Sequence, residues 1–304
     1  MPENPRGLPD GVKATSGGTF NPNDPLTYFI AGSLDNLQVS MQDYVLIAVN
    51  EIKSPKDEEE LERLCETRKV FLDSGIFNLA MTHARKHDVS HDVGLSLPPE
   101  EIDGFDELWD RYGHIATKYH DRLWGIVELD QGGIENKPRT RARIEEEFGI
   151  IPMPVYHPLL DGWDYYDDLA KEYDRLCFGN LVKASPPVRL RLQWTATQRA
   201  KEYPYLWTHM LGVTPNQNLI AMGYKGSADS SSWITSLRWM PSWRGFAMLS
   251  SLSGYPIEMW YLADTYDKTL QLSSATTYAQ ELIIRDLKDD THPWLHGGVE
   301  KETP

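Results

Sequence analysis

Residues 70–77 read VFLDSGIF. An apolar run of strand length ends in Asp73, Ser74 and Gly75, and a new apolar pair follows. The shape recurs along the chain. Leu123–Gly133 is LWGIVELDQGG, Ile150–Pro158 is IIPMPVYHP, Leu176–Lys183 is LCFGNLVK and Leu206–Pro215 is LWTHMLGVTP, while in Tyr224–Trp233, YKGSADSSSW, Asp229 stands among small residues after an apolar segment. Strand-length segments are also expected at Tyr28–Leu34, Tyr44–Asn50, Leu219–Tyr224 and Gly245–Ser251. Several lack polar alternation, as strands buried on both faces do. Between them lie amphipathic, charge-rich stretches. Helices are expected at Lys56–Arg68, from Pro99 through the stretch ending at Leu123, at Arg139–Phe148, Trp163–Tyr173 and Thr276–Lys288.

Strand–helix alternation repeated seven or eight times in 304 residues predicts an α/β fold, a (β/α)8 TIM-like barrel. The barrel is expected over residues 26–288 as a single domain, between flexible, irregular arms at 1–25 and 289–304 that are rich in Gly, Pro and polar residues. No Gly-x-Gly-x-x-Gly follows the first strand and no phosphate-binding loop of the Gly-x4-Gly-Lys type occurs, which weighs against an open nucleotide-binding sheet. Hydrophobic residues at 40%, with 10 Trp and 15 Tyr, supply a sizeable core and exclude global disorder. A net charge of −15 disfavours indiscriminate binding to nucleic acid or anionic membrane, though not a local basic groove. Two cysteines, Cys65 and Cys177, are too few for a thiolate zinc centre or a disulfide scaffold. No apolar run reaches ~18 residues, and the N-terminus lacks a signal-peptide core, so a cytoplasmic protein is expected.

In a barrel, chemistry gathers where strands end. There the sequence places Asp73, Asp130, Asp229, His157 and His209. Each aspartate reads equally as a helix cap, and each histidine as a core residue. Together, on converging strands, they describe a pocket. Carboxylates gathered without a metal suit glycosidic chemistry, one as nucleophile and one moving a proton. A divalent ion held by the same acids is the alternative. Gly179 lets a ligand approach the backbone closely, and Asn180 offers an amide able to read a base edge.

These segments resemble the tRNA-guanine transglycosylase superfamily over roughly residues 65–235. VFLDSGIF is similar to its Asp-Ser-Gly-Gly-Phe-Gln motif, VELD to its purine-gripping strand, FGNLV to its Gly-Gly-Leu loop, HMLGVTP to its His-Leu-x-Gly-x-Gly-x-Pro segment and ADSSSW to Phe-Asp-Ser-Ala-Ser-Tyr. The resemblance implies Asp229 as nucleophile and Asp73 as proton carrier. It implies a base-binding set of Asp130, Gly179, Asn180, Leu181, Ser74, Phe77, His157 and His209. Asn180 replaces the second glycine, and His157 stands where the family has Gln. The zinc segment, Cys-x-Cys-x-x-Cys plus His, is missing, so no metal is expected, and no cofactor is needed because one C–N bond replaces another. That absence makes the chain more like the DNA-modifying branch. The implied activity is exchange of guanine in DNA for a 7-deazaguanine such as preQ0, through a covalent aspartyl–glycosyl intermediate on a flipped-out base. A tRNA-directed transglycosylase, a barrel N-glycosidase with water as acceptor and a non-catalytic barrel subunit are the competing readings.

DNA would need a basic groove. Lys137, Arg139, Arg141 and Arg143 follow the Asp130 strand, and Arg189, Arg191, Arg199 and Lys201 follow the Gly179 strand. Arg238 and Arg244 follow Asp229. Each group reads as phosphate contacts or as a solvated helix face. Phe77, Tyr156 and Trp233 are stacking surfaces or core. His83, His87 and His91 recur every fourth residue, which suits a metal on one helix face, but Asp88–Ser90 is expected to end that helix, leaving solvated or capping roles. Cys177 reads as an inert core thiol.

Overall fold

A computed structural model describes residues 7–21, 26–38, 42–215 and 217–231. Within them lie eight strands: β1 (Thr27–Ala31), β2 (Tyr44–Ala48), β3 (Lys69–Asp73), β4 (Gly125–Ile126), β5 (Val155–Tyr156), β6 (Arg175–Phe178), β7 (Trp207–Met210) and β8 (Ser227–Ser230). Helices connect them. These are α1 (Leu34–Gln38), α2 (Pro55–Thr67), α3 (Ile76–Lys86), α4 (His91–Ser96), α5 (Phe105–Tyr119), α6 (Gly133–Phe148), α7 (Trp163–Glu172), α8 (Pro186–Ala200) and α9 (Gln217–Ala221). The strands are parallel, and they pair in chain order except between β4 and β5, while β1 also pairs with β8. A bridge between Val127 and Met153 joins the β4 side to the β5 side and closes the ring. It is flanked by bonds from Glu128 N to Met153 O at 3.0 Å and from Met153 N to Ile126 O at 2.7 Å. The result is an α/β barrel of parallel strands wrapped by helices.

Period-two alternation explains the apolar strands. In β3, Val70 and Leu72 face outward into a core shared with Leu61 and Leu64 of α2 and with Tyr112 and Ile115 of α5. Phe71 faces inward. There it meets Phe29, Trp124, Val127, Met153, Val155, Cys177 and Trp207. Phe29, Phe71 and Trp124 lie with ring centroids 5.0–5.4 Å apart, and Trp207 lies 4.5 Å from Trp124. This aromatic plug fills the barrel's axis. Asp73, two residues beyond Phe71, therefore points inward above it.

Several elements differ from expectation, among them the helix α8, which was not expected. The expected strand at Leu219–Tyr224 is α9 and a turn, and β8 is instead Ser227–Ser230. It pairs with β1 and β7 through the residues SADS, so no apolar bulk marks it in sequence. The helix expected from Pro99 begins at Phe105, because Gly104, at φ 82°, breaks the chain direction. Helix α6 starts six residues before Arg139 and runs through Pro138. The strand at Gly245–Ser251, the helix at Thr276–Lys288 and the tail from 289 lie outside the described residues.

The N-terminal arm is a correction too. Residues 13–18 lie across the end of the barrel where the strands begin. Lys13 bridges to Tyr173, Ser16 N donates to Ile151 O at 2.7 Å and Gly18 N reaches Trp124 O at 3.0 Å. Gly17, at φ 116°, lies so close that a Cβ there would meet Trp124 O at 2.6 Å. The segment also satisfies two buried charges. Asp174 accepts from Thr15 N and Oγ1, both at 2.8 Å, and the Arg175 guanidinium donates to the carbonyls of Thr15 and Ser16 at 2.9 and 2.7 Å. Gly and Ser content signals irregular backbone. Here that backbone is held by the groups it satisfies. Among the described residues, no helix is long and apolar enough to cross a membrane.

Candidate active site

The site sits at the opposite end of the barrel, above the aromatic plug. A cavity of about 190 Å³ is lined there by Asp73, Asp130 and Asp229, with His157, Ser74, Gly179 and Asn180. Leu46, Ile76, Phe77, Val182 and Leu211 form its apolar wall. At this volume, below the ~300–1,000 Å³ of drug-sized pockets, it suits one small ring system.

Asp73 ends β3 and accepts from Gly75 N at 3.2 Å. Gly75 takes a left-handed φ of 75°, and a Cβ there would meet Asn50 Oδ1 at 2.9 Å, so the turn that presents Asp73 needs glycine. Asp130 follows β4 and accepts from His157 Nε2 at 2.6 Å. His157 is held in turn by its backbone N–H, which donates to Asp161 Oδ2 at 2.8 Å. Asp229 lies within β8, on the same strand face as Ser227. Its Oδ1 accepts from Gly212 N at 2.9 Å and from His209 Nε2 at 3.0 Å, and His209 Nδ1 bonds Ser227 Oγ. Among the described residues Oδ2 of Asp229 carries no such bond. Asn180, at φ 60°, is buried with its Nδ2 donor unpartnered.

The carboxyls divide into two states. Burial, followed by the nearby charges of Asp229 and Asp130, pushes Asp73 up to about 7. Burial also works to raise Asp130, but the His157 hydrogen bond and the charges of His157 and Lys137 outweigh it and hold Asp130 below the usual carboxylate range. One acid therefore carries a proton near neutrality while another stays anionic beside it. The folded protein keeps the Asp73 proton up to about 7, whereas the unfolded chain loses it near 3.8. Asp73 thus stabilises the fold at low pH, and that contribution is lost as pH rises through this window. Asp73→Asn removes the slope, so relative to wild type the variant gains stability between pH 4 and pH 8. Urea midpoints at the two pH values measure this, and equal differences at both would contradict the assignment.

Of the expected site residues, the structure brings Asp73, Asp130, Asp229, Ser74, Phe77, His157, Gly179 and Asn180 to one cavity. Two others lie behind it. His209 is fully buried between the Phe71 and Trp207 rings and touches Asp229 rather than the open space. Leu181 is buried in the core of the α7–α8 side. Gly179 also has a reason other than the one expected. A Cβ there would meet His157 Cδ2 at 2.6 Å and Val155 Cγ1 at 2.8 Å, so the glycine makes room for His157. Phe77 stands half-exposed at the cavity mouth, and Tyr156 is core. Trp233 lies outside the described residues. The cavity wall residues Leu46 and Leu211 were missed. Both obey strand alternation, Leu211 two places after His209.

Burial takes part of the basic patches away from any surface groove. Lys137 is fully buried, donating to Asp161 Oδ2 at 2.6 Å and Val155 O at 2.9 Å. Arg141 is buried against Glu128, at 2.7 Å. The outward-facing Arg139 and Arg143 pair with Glu100 and Glu147. Arg189 donates to the carbonyls of Leu181, Val182 and Ala184, and so ties down the Asn180 loop. Arg199 pairs with Asp167, and Lys201 reaches Gln198. Of these residues Arg191 and Lys201 stay exposed with no ion pair among the described residues. Arg238 and Arg244 lie outside them. Cys177 is buried on β6, and burial pushes its thiol well above the ordinary value.

No family model matches the chain, and no curated protein matches it. Among solved structures it is similar to one titled "Crystal Structure Analysis of the 4-hydroxy-2-oxoglutarate aldolase/2-deydro-3-deoxyphosphogluconate aldolase from TTHB1". The identity is 12% and the TM-score 0.38, over 85% of this chain and 92% of that one. A likeness that remote says nothing about chemistry.

Proposed function

We propose that this barrel is a glycosyltransferase that exchanges guanine in DNA for a 7-deazaguanine such as preQ0. The observation that carries the reading is the cavity itself: three carboxylates around a volume fit for one base, one poised to move a proton and one held anionic. Asp229 attacks C1′ of a flipped-out deoxyguanosine, forming an ester bond to the sugar as the C1′–N bond to guanine breaks. Asp73 gives its proton to the departing base. The incoming 7-deazaguanine then attacks C1′ and returns a proton to Asp73, and the bond to Asp229 breaks. Two inversions leave the configuration retained. The anionic Asp130 accepts N–H groups from the base edge, and the unpartnered Asn180 Nδ2 donates to one of its acceptors. Phe77 at the mouth offers a face for stacking. The paired arginines leave little of the expected groove among the described residues, so the choice of DNA over tRNA rests on the resemblance and the missing zinc segment.

The test is incorporation of labelled preQ0 into plasmid DNA or bulk tRNA, with release of free guanine followed in parallel. Label in DNA is the expected result. Label in tRNA alone would move the enzyme to the tRNA-directed branch. Guanine release without incorporation would make it an N-glycosidase, and neither would overturn the reading. Exchange should fall as pH rises above about 7, where Asp73 loses the proton needed for the first step. In Asp73→Asn that limb should vanish, with the rate down roughly 10²–10⁴-fold.

A further inference from the structure

The sequence run His83, His87, His91 resolves into something different from a one-face triad. His91 begins α4 after the Ser90 cap and leaves the group. Asp103, from the turn before α5, takes its place. Its Oδ2 lies 2.9 Å from His87 Nε2 and its Oδ1 lies 3.7 Å from His83 Nδ1. The imidazoles are 4.3 Å apart between centroids, and one ligand atom from each of the three residues falls within 4.8 Å of the others. His83 is buried, and its Nδ1 accepts from the Asp103 backbone N–H at 3.1 Å, so its lone pair faces the Asp103 turn and an ion bound at that nitrogen would replace this hydrogen bond. His87 and the Asp103 carboxylate are open to water on the other side.

We propose that His83, His87 and Asp103 bind a divalent transition-metal ion, zinc being the best fit, with water completing the site. Two imidazoles and a carboxylate are a zinc ligand set, and ligand atoms on a tetrahedral zinc stand about 3.3 Å apart, within the 4.8 Å that spans one ligand atom from each of the three residues here. Lys86 Nζ also sits 2.5 Å from Asp103 Oδ2. It is a mostly exposed side chain on a flexible stem, so it swings into solvent when an ion takes that oxygen.

The position gives the ion a task. His87 and Asp103 are the two ends of the excursion that carries α4. That excursion is bonded to the strand end bearing Asp130: Gln131 Nε2 donates to Gly94 O and Leu97 O at 2.7 and 2.8 Å, and Gly132 N donates to Leu95 O at 3.2 Å. An ion at the base of the excursion would close it and steady the loop against the catalytic cavity, independently of which reaction occurs there.

The experiment is titration of the full-length chain with Co²⁺, read by visible absorption, and then displacement by Zn²⁺. The expected result is one ion per chain. Its affinity should drop at least tenfold in His87→Ala and in Asp103→Ala, both at exposed side chains, with circular dichroism confirming their fold. His91→Ala should bind as wild type. Hydrogen exchange of residues 88–102 should slow when Zn²⁺ is added. No stoichiometric binding, or unchanged binding in both ligand variants, would overturn the site. Equal loss in His91→Ala would place the ion elsewhere, and exchange unaffected by Zn²⁺ would overturn its role in closing the excursion.

Discussion

Replacing Asp229 by Asn is expected to slow base exchange by roughly 10⁴-fold or more and to abolish any covalent enzyme–DNA adduct. The nucleophile forms the only bond that preserves the sugar between the two bases, so no neighbouring group substitutes for it. Asn keeps an oxygen for the bonds from Gly212 N and His209 Nε2, and the barrel should close around it unchanged. Trapping of the adduct on denaturing gels, with exchange rates alongside, makes the measurement. A variant that exchanges within tenfold of wild type would sink the assignment of Asp229, and with it the covalent mechanism.

Arg141→Ala carries the largest expected effect on stability. Glu128 is fully buried, and the bonds to its carboxylate come from Arg141 at 2.7 Å and from Val155 N at 2.6 Å. Removing the guanidinium leaves a buried carboxylate with half its compensation, at a cost of about 3–5 kcal/mol. Burial already works to raise the Glu128 carboxyl against the opposing pull of Arg141 and Lys137. Burial prevails and already holds the Glu128 carboxyl above its ordinary value, and without Arg141 the folded protein keeps that proton to still higher pH. The damage should therefore grow as pH rises, being greater at pH 8 than at pH 5. The double variant Glu128→Gln, Arg141→Met should recover most of the loss. Arg139→Ala, on an exposed pair, should cost no more than about 1 kcal/mol. Urea denaturation of the four proteins decides it. An Arg141→Ala protein as stable as wild type but weakened in DNA binding would restore the groove read from the sequence.

The strand-end aspartates were legible because alternation is local. In VFLDSGIF the inward Phe71 forces Asp73 inward two residues later, and Gly75 announces the turn that follows. HMLGVTP likewise sets His209, Leu211 and Gly212 on the side where Asp229 lies. The buried pairs on α6 were less visible. Lys137, Arg139, Arg141 and Arg143 read as one basic cluster, although Lys137, Arg141 and Ile144 share a helical face. The stripe is there in the spacing, but its charged members conceal it, because a buried Lys or Arg is rare without a partner and the partners, Asp161 and Glu128, belong to other elements.

What the sequence by itself determined is the alternation of strands with helices and the strand ends at which Asp73, Asp130 and His157 stand, since periodicity and turn residues act over a few neighbours. What only the tertiary structure decided is which groups meet. Ring closure places Asp229 on β8 between β1 and β7, and seats His157 in the space that Gly179 leaves open. It also draws the N-terminal segment over Asp174 and Arg175, and brings Asp103 to His83 and His87. Each of these contacts joins residues far apart in the chain, and depends on strand curvature and helix docking that no local pattern encodes.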